Sequence, residues 1–301
     1  MTNSNKKNLI VIAGPTAIGK TSLSIKLAKK LKTEIISCDS RQFYKELSIG
    51  TAVPSEDELK KIQHHFIQNL SIKEGYNIGE FEKDAILKIE SLFKKYNNVI
   101  LVGGSGLYID AVCKGIDILP DISKKIRENL NIQYKKNGLA WLQNEVKELD
   151  PEYFEYVDTK NPQRLMRSLE TYTASGKKIS SLHKKKDKKR DFNIIKIGLE
   201  IDRELLYRKI NSRVDKMIND GLIEEAKDLI KYRHYNALNT VGYKELFDFL
   251  DGNSNLETAI EKIKQNTRRL AKRQITWFKR DKSINWFTID EYQEIVKTIL
   301  Q

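Results

Sequence analysis

The chain opens with a short apolar run that is followed by apolar residues at helical spacing. Residues 8–13 read NLIVIA and end at a Gly-rich turn, and residues 21–31 carry apolar side chains at Leu23, Leu27 and Leu31. A continuous run of this length is typical of a buried strand, and a spacing of four is typical of one face of a helix. The pattern predicts a strand, a loop and a helix at the start of an α/β sheet.

Further short apolar runs and amphipathic stretches continue this alternation. Strands are predicted at 34–38, 98–102, 193–201 and 284–288, and helices at 78–95, 203–220, 241–250 and 256–280. Because short apolar strands alternate with helices, we expect an α/β fold with a doubly wound parallel sheet. Beyond residue 200 the chain is predicted to be almost entirely helical, with a terminal helix after the last strand.

The pattern changes between residues 120 and 190. Polar helical stretches that contain tyrosines are interrupted there by Pro151, Pro162 and Gly176, and no run is typical of a core strand. We therefore expect a helical insertion domain at 120–190 within a core formed by 1–119 and 191–301, the core ending in a helical C-terminal part.

Composition places the 301-residue chain among soluble globular proteins. Hydrophobic residues make up 40% of the chain and charged residues 32%, and no apolar run approaches the ~20 residues of a membrane span. The first residues are polar, and the apolar run that follows is too short for a secretory signal. We expect a cytoplasmic protein with no membrane partner, in which Cys38 and Cys113 are buried free thiols.

The positive charge of the chain is concentrated in two segments. Residues 160–190 contain 11 basic and 2 acidic residues, and residues 262–282 contain 9 basic and 1 acidic residue, whereas the whole chain has a net charge of +13. Two dense basic segments on an otherwise mildly acidic protein favour a polyanionic partner, most commonly nucleic acid. The alternative is that lysines simply enrich solvated faces.

Residues 14–21 satisfy the phosphate-binding pattern G-x-x-x-x-G-K-[ST] between a predicted strand and a predicted helix. The glycines allow successive N–H groups to face one anion together with the positive end of the helix, Lys20 can reach a terminal phosphate, and the Thr21 hydroxyl can ligate Mg²⁺. The sequence thus predicts a P-loop with Mg²⁺ as the cofactor. The residues of this loop are Gly14, Pro15, Thr16, Ala17, Ile18, Gly19, Lys20 and Thr21.

An acidic residue at the end of a neighbouring strand usually holds the Mg²⁺ of a P-loop kinase or ATPase. Here the strand at 98–102 runs instead into the segment GGSG at 103–106, which has no carboxylate. Asp39 follows the strand at 34–38, and the carboxyl ends of parallel strands line the ligand crevice. Asp39 could be a metal ligand, a general base or the N-cap of the next helix, and a small-molecule or nucleotide kinase is the alternative function.

Motifs along most of the chain resemble, in order and spacing, those of the tRNA dimethylallyltransferases. The P-loop alone would be weak support for a family, but the combination is specific. The resemblance implies transfer of a dimethylallyl group from dimethylallyl diphosphate to N6 of the adenosine 3′ of the anticodon in tRNA. The motifs are GPTAIGKT at 14–21, DSRQ at 39–42 with Tyr44, GGSGLY at 103–108, NPQRL at 161–165, VGYKE at 241–245 and AKRQ at 271–274.

The resemblance also implies the catalytic residues. The P-loop would hold the diphosphate, chiefly through Thr16, Lys20 and Thr21, Asp39 would be the general base, and Arg213 would be a second cation on the diphosphate. From the helical pattern alone, Arg208 and Arg213 could equally be surface residues. The expected partners are dimethylallyl diphosphate and the anticodon stem-loop of tRNA, bound by a monomer.

The tRNA-binding residues implied by the resemblance lie in the core and in the insertion. The chain departs from the family pattern at Ile18, at Ser105 and at Gln68, where an acid is common after His64 and His65. We expect these two histidines to pack and form hydrogen bonds inside the core. The implied tRNA-binding residues are Asp39, Ser40, Arg41, Gln42, Ser105, Arg127, Gln163, Arg164, Leu165, Met166, Arg167, Lys272 and Arg273.

Overall fold

The computed structural model describes residues 7–117, 119–183 and 187–301. The chain forms two units that each have their own interior. The core unit consists of Met1–Lys114 and Lys189–Gln301, and the insertion unit consists of Gly115–Lys188. The insertion unit thus begins five residues before the boundary predicted at 120 and ends two residues before the boundary predicted at 190. The lysines at 184–186, part of the basic segment at 160–190, lie outside the described residues.

Six strands of the described residues form one parallel sheet in the core unit. They lie in the order β3-β2-β4-β1-β5-β6, and every neighbouring pair is parallel. Leu9 and Val11 of the first strand pack on one face of the sheet, whereas Ile10 and Ile12 pack on the other. The strands are β1 (Asn8–Ala13), β2 (Ile35–Ser37), β3 (His64–His65), β4 (Asn98–Gly103), β5 (Asn193–Leu199) and β6 (Ile284–Phe287).

Helices of the core unit cover both faces of the sheet, and polar caps mark where several helices of the chain begin. Asn77, Asp202 and Asn255 each accept hydrogen bonds from N–H groups of the first turn of the helix that follows, which satisfies donors that have no partner inside a helix. The helices are α1 (Lys20–Leu31), α2 (Glu56–Lys61), α3 (Ile78–Phe93), α4 (Gly106–Lys114), α5 (Lys124–Leu149), α6 (Pro151–Tyr156), α7 (Pro162–Ser175), α8 (Ile179–Leu182), α9 (Arg203–Asn219), α10 (Leu222–Leu229), α11 (Tyr243–Leu250), α12 (Leu256–Phe278) and α13 (Tyr292–Leu300).

The predicted α/β class and parallel sheet are confirmed, and each predicted strand lies within two residues of its observed bounds. The edge strand β3 is additional. It contains only His64 and His65, which pair with β2, and so it has no apolar run to reveal it. The ring Nδ1 of His64 donates to the carbonyl oxygen of Ile62 at 2.8 Å, and Nε2 of His65 lies 2.6 Å from Glu34 Oε2. These contacts agree with the packing role expected for the pair.

The insertion unit consists of α5 to α8, and none of its described residues forms a strand. Its interior contains Leu142, Val146, Leu165 and Leu169. Asp150 is fully buried and joins α6 to α8, because its carboxylate accepts hydrogen bonds from the N–H of Tyr153 and from the N–H and hydroxyl of Ser180. The unit therefore has a core and a polar cross-link of its own.

Two expectations drawn from composition can also be compared with the structure. Cys38 and Cys113 are both buried and free of disulfide bonds, as predicted. Within residues 7–117, 119–183 and 187–301, no helix is both long enough and apolar enough to cross a membrane.

Candidate functional site

The loop between β1 and α1 has the backbone conformation of a phosphate cradle. Gly14 and Gly19 have φ angles of 149° and 109°, values that L-residues with a side chain rarely adopt, and Ala17 is also left-handed at 64°. No side chain caps the N-terminus of α1 at Gly19. The free N–H groups of its first turn are therefore available to an anion.

Lys20 begins α1 and lies in the electrostatic field of two other site residues. Its Nζ donates to the carbonyl oxygen of Pro15 at 2.7 Å. Burial lowers the pKa of the Lys20 ammonium to about 8, the Asp39 carboxylate opposes this shift, and the Arg213 guanidinium adds to it. The three predicted catalytic residues are therefore brought together, although they come from three separate elements of the chain.

Arg213, on α9, carries a charge that the protein does not neutralise. Burial lowers its pKa, and the Asp39 carboxylate opposes the shift, but the guanidinium forms no hydrogen bond and no ion pair with the part of the chain that the structure describes. Among the described residues, the Asp39 carboxylate accepts only the N–H of Arg41, at 3.1 Å. Burying a cation without a protein anion costs free energy unless a bound ligand supplies the negative charge. Arg208, on the same helix, is exposed, whereas Arg213 lies close enough to Asp39 for the carboxylate to affect its pKa.

These residues line a cavity of about 750 Å³, which we call the phosphate cavity. Lys20, Thr21, Asp39, Arg208 and Arg213 are among its polar lining residues, and Ala52, Val53, Pro54, Ile67 and Val102 contribute apolar surface. Among the described residues no cluster of three His, Cys, Asp or Glu side chains could bind a metal alone. The Thr21 hydroxyl and the Asp39 carboxylate do line one space, so the residues fit a Mg²⁺ ion that takes most of its ligands from a substrate and water.

A second cavity of about 510 Å³, the apolar cavity, adjoins the first. Its walls include Tyr108, Ile210, Val214, Met217, Leu270 and Trp277. The two cavities share lining residues, namely Thr16, Asp39, Gly104, Arg213 and Gln274. A polar compartment and an apolar compartment therefore meet at the group of residues that contains the candidate base.

Gln274 is a site residue that the sequence analysis did not select. Its Oε1 accepts the N–H of Thr16 at 2.9 Å, and its Nε2 donates to the carbonyl oxygen of Gly104 at 3.0 Å. It thus joins the P-loop to the loop after β4. Its position was visible in the AKRQ motif, and helical spacing places Thr267, Leu270, Gln274 and Trp277 on one face of α12, which lines the apolar cavity.

The turn after β2 uses two of its side chains inside the core unit. Arg41 donates to the carbonyl oxygens of Asn236 and Ala237, and Gln42 donates to those of Thr51 and Ala52. The N–H of Ser40 donates to Ser105 Oγ at 3.3 Å. Asp39, Ser40, Arg41 and Ser105 still line the apolar cavity. In this structure Arg41 and Gln42 hold neighbouring loops in place.

The tRNA-binding residues predicted on α7 divide between two faces of that helix. Gln163 and Arg164 are exposed and Arg167 is partly exposed. Leu165 is 0% exposed and Met166 is 8% exposed, because both belong to the core of the insertion unit. The side chains of Leu165 and Met166 pack inside the unit, and the prediction that this segment contacts RNA stays a prediction.

Other basic residues of the predicted RNA surface are already paired with protein groups. Arg127 binds the buried Glu170 through two hydrogen bonds of 2.8 and 3.3 Å, and Arg167 lies 3.5 Å from the same carboxylate. Arg190, at the end of the basic segment 160–190, forms an ion pair with Glu82 at 2.8 Å. By contrast, Lys272 and Arg273 on α12 are exposed, and Arg273 lines the apolar cavity.

The chain is similar to known proteins over nearly its whole length. Residues 42–281 match the family described as IPP transferase. A relative from Christiangramia forsetii, named tRNA dimethylallyltransferase, is 56% identical over 283 residues, which cover 94% of each chain.

Two solved structures resemble the fold. The full-length tRNA isopentenylpyrophosphate transferase from Bacillus halodurans has a TM-score of 0.73 and 35% identity, with 98% of this chain and 96% of that chain covered. A eukaryotic dimethylallyltransferase described as acting on tRNA has a TM-score of 0.74 and 29% identity, with 90% of this chain and 70% of that chain covered.

Proposed function

This chain belongs to the IPP transferase family, and we propose that it transfers a dimethylallyl group from dimethylallyl diphosphate to N6 of the adenosine 3′ of the tRNA anticodon. The observation that carries the proposal is the meeting of two cavities at Thr16, Asp39 and Arg213. One cavity has the cations that a diphosphate needs, and the other has the apolar and aromatic walls that suit a base.

The diphosphate would occupy the phosphate cavity. The N–H groups of the P-loop, the Lys20 ammonium and the Arg213 guanidinium would surround its oxygens, and the ligand would supply the negative charge that these two cations lack in the protein. Because the leaving diphosphate gains negative charge as its bond to the allylic carbon breaks, these donors bind the transition state more strongly than the substrate. Lys20 and Arg213 would therefore contribute to the rate as well as to affinity.

The Thr21 hydroxyl would help to hold a Mg²⁺ ion, which would supply positive charge to stabilise the leaving diphosphate. Asp39 lines the same cavity and could approach such an ion through water. The primary role that we propose for Asp39 is nevertheless that of general base.

The exocyclic N6 of adenine is a weak nucleophile because its lone pair is delocalised into the ring. As the N6–carbon bond forms and the carbon–oxygen bond to diphosphate breaks, the amine proton would pass to the Asp39 carboxylate. Asp39 suits this role because it lies where the two cavities meet and because, within the described part of the chain, its carboxylate accepts a single hydrogen bond, from the N–H of Arg41. Gln274 would keep the P-loop aligned, since it holds the N–H of Thr16.

The adenosine would reach Asp39 through the apolar cavity. Anticodon-loop nucleotides are unpaired and therefore cost little to extrude from their stack. We propose that Ser40, Ser105 and Arg273, which line this cavity, contact the flipped nucleotide or its neighbours, and that Lys272 and the exposed residues of α7 bind phosphates of the stem-loop.

Label transfer tests the proposed function. With the full chain, tRNA and Mg²⁺, radiolabel in the prenyl group of dimethylallyl diphosphate should appear on tRNA, and unlabelled diphosphate should be released in equal amount. Transfer of the γ-phosphate of ATP instead would support the kinase alternative. Binding of tRNA without any transfer would leave a tRNA-binding protein with an inactive P-loop.

A further inference from the structure

The loop at 48–54, which we call the wall loop, forms part of both cavities. Gly50 and Thr51 line the apolar cavity, whereas Ala52, Val53 and Pro54 line the phosphate cavity. Ala52 has a φ of 48°, a left-handed conformation that is unfavourable for alanine and needs support from its surroundings. The loop is therefore a shared wall whose shape must be held by other parts of the chain.

One side of the wall loop is bound by a single carboxylate. Glu225, on α10, accepts the N–H groups of Ser48, Ile49 and Gly50 at 3.1, 2.9 and 2.9 Å. Three successive amides directed at one anion form a nest, and bonds to a charged acceptor are stronger than neutral ones. Glu225 itself lines neither cavity.

Tyr243 and Gln42 make the remaining contacts that hold the wall loop. The Tyr243 hydroxyl donates to Glu225 Oε1 at 2.6 Å, and a Cβ on Gly50 would lie only 2.6 Å from the Tyr243 ring. On the opposite side, Gln42 donates to the carbonyl oxygens of Thr51 and Ala52. The amides of the loop thus face Glu225, and its carbonyls face the turn that carries Asp39.

We propose that Glu225, supported by Tyr243, is a positioning residue for prenyl transfer: it fixes the wall loop so that the allylic carbon and N6 meet at Asp39. The proposal rests on the proposed function. Within the part of the chain that the structure describes, Glu225 forms no hydrogen bond or ion pair with the P-loop, Lys20 or Arg213, so binding of the diphosphate should not depend on it. The shape of the apolar part of the phosphate cavity should depend on Glu225, because Ala52, Val53 and Pro54 of the wall loop supply part of that surface.

The test is Glu225→Gln in the full chain, with kcat and KM for dimethylallyl diphosphate measured on tRNA and the Kd measured for inorganic diphosphate alone. A glutamine has the same shape, but its amide nitrogen must face at least one N–H donor of the loop. We expect kcat/KM to fall by roughly tenfold or more, as for a small misplacement of reacting groups, while the Kd for inorganic diphosphate stays at the wild-type value.

The adjacent Glu224→Gln is the matched control, because Glu224 is exposed on the same helix and should leave all three constants unchanged. Tyr243→Phe removes only the hydroxyl and should lower kcat/KM in the same direction by a smaller factor. If Glu225→Gln does not fold, Tyr243→Phe decides the question.

A folded Glu225→Gln with wild-type kcat/KM would overturn the proposal, as would an equal loss of inorganic diphosphate binding, which would indicate general damage to the site. These outcomes differ from a failure of the proposed function, in which the wild-type chain itself would transfer no prenyl label.

Discussion

Cations in the core unit and cations in the insertion unit are held in opposite ways. Lys20 and Arg213 lie at a cavity where the nearest carboxylate, Asp39, forms no ion pair with either of them within the described residues. Arg127 and Arg167 both approach the buried carboxylate of Glu170. In the first arrangement no carboxylate of the described residues is ion-paired with the cations, whereas in the second one carboxylate binds both arginines.

The difference shows why the charge of a segment does not by itself locate a ligand site. The insertion carries most of a segment with 11 basic residues, yet part of that charge is neutralised by protein groups. The P-loop region has fewer cations, but burial lowers the pKa of both of its principal ones. A cation that the fold buries without a partner indicates a bound anion more strongly than a cation in a dense run.

The largest effect is expected for Lys20→Ala. Because the ammonium would hold the leaving group, both affinity for dimethylallyl diphosphate and the rate of transfer should fall, with kcat/KM lower by roughly 10² to 10³. Single-turnover transfer measures the rate, and a binding assay with dimethylallyl diphosphate measures the affinity. Lys29→Ala, an exposed change on the same helix, is the control. Unchanged affinity and rate in Lys20→Ala would remove the P-loop from the active site.

Asp39→Asn should separate chemistry from binding. The amide keeps the size of the side chain but cannot take the N6 proton, so turnover should fall by on the order of 10² or more. Affinity for tRNA should be retained, which a filter-binding assay would check. Single-turnover transfer at the wild-type rate would mean that another group is the base.

Arg213→Met should have opposite effects on function and on stability. Affinity for dimethylallyl diphosphate should fall by about tenfold, because a charge-assisted contact is lost. The melting temperature of the free protein should rise by about 2 °C, since a half-buried charge that has no ion-pair partner among the described residues is replaced by an apolar side chain of similar length. Calorimetry with and without diphosphate measures both. A lower melting temperature would show that Arg213 is already satisfied in the free protein.

The pH dependence of ligand binding follows from Lys20. Its pKa of about 8 leaves the ammonium charged below that pH and neutral above it, so affinity for dimethylallyl diphosphate should fall by up to about tenfold per pH unit above 8. Between pH 8 and the ordinary lysine value, the unfolded chain binds this proton and the folded chain does not, so stability should rise with pH in that window. Lys20→Met should abolish both trends, and a pH-independent affinity in the wild type would contradict the argument.

Local patterns predicted most of the fold and the centre of the site. The strand at Asn8–Ala13 and the P-loop each lie within one short stretch, so both were visible in the sequence. Helical spacing also separates Gln163 and Arg164 from Leu165 and Met166. The NPQRL motif on α7 therefore contains both exposed residues and a residue of the insertion core.

The features that were missed depend on contacts between distant residues. Gln274 binds the backbone of Thr16 and Gly104, and Glu225 binds the amides of Ser48 to Gly50. Backbone N–H and C=O groups are the same in every residue, so a sequence does not show which of them a side chain will bind. The edge strand β3 was missed for a similar reason, because its two histidines are recognisable as a strand only through their pairing with β2.

The smallest effect is expected for the surface charges, and it tests the comparison between free and paired cations directly. Lys272 and Arg273 are exposed on α12, so replacing both with Ala should weaken tRNA binding severalfold and flatten the dependence of log affinity on log salt by roughly 0.7 to 0.9 per lost phosphate contact. Arg127→Ala is the matched variant, because its guanidinium is held by Glu170. It should change the salt slope less, and it should lower stability, because the buried Glu170 carboxylate would keep only Arg167 at 3.5 Å as a cationic partner. Equal slopes for wild type and the α12 double variant would mean that this basic surface is only solvated, and a larger change for Arg127→Ala would mean that paired arginines contribute to RNA binding after all.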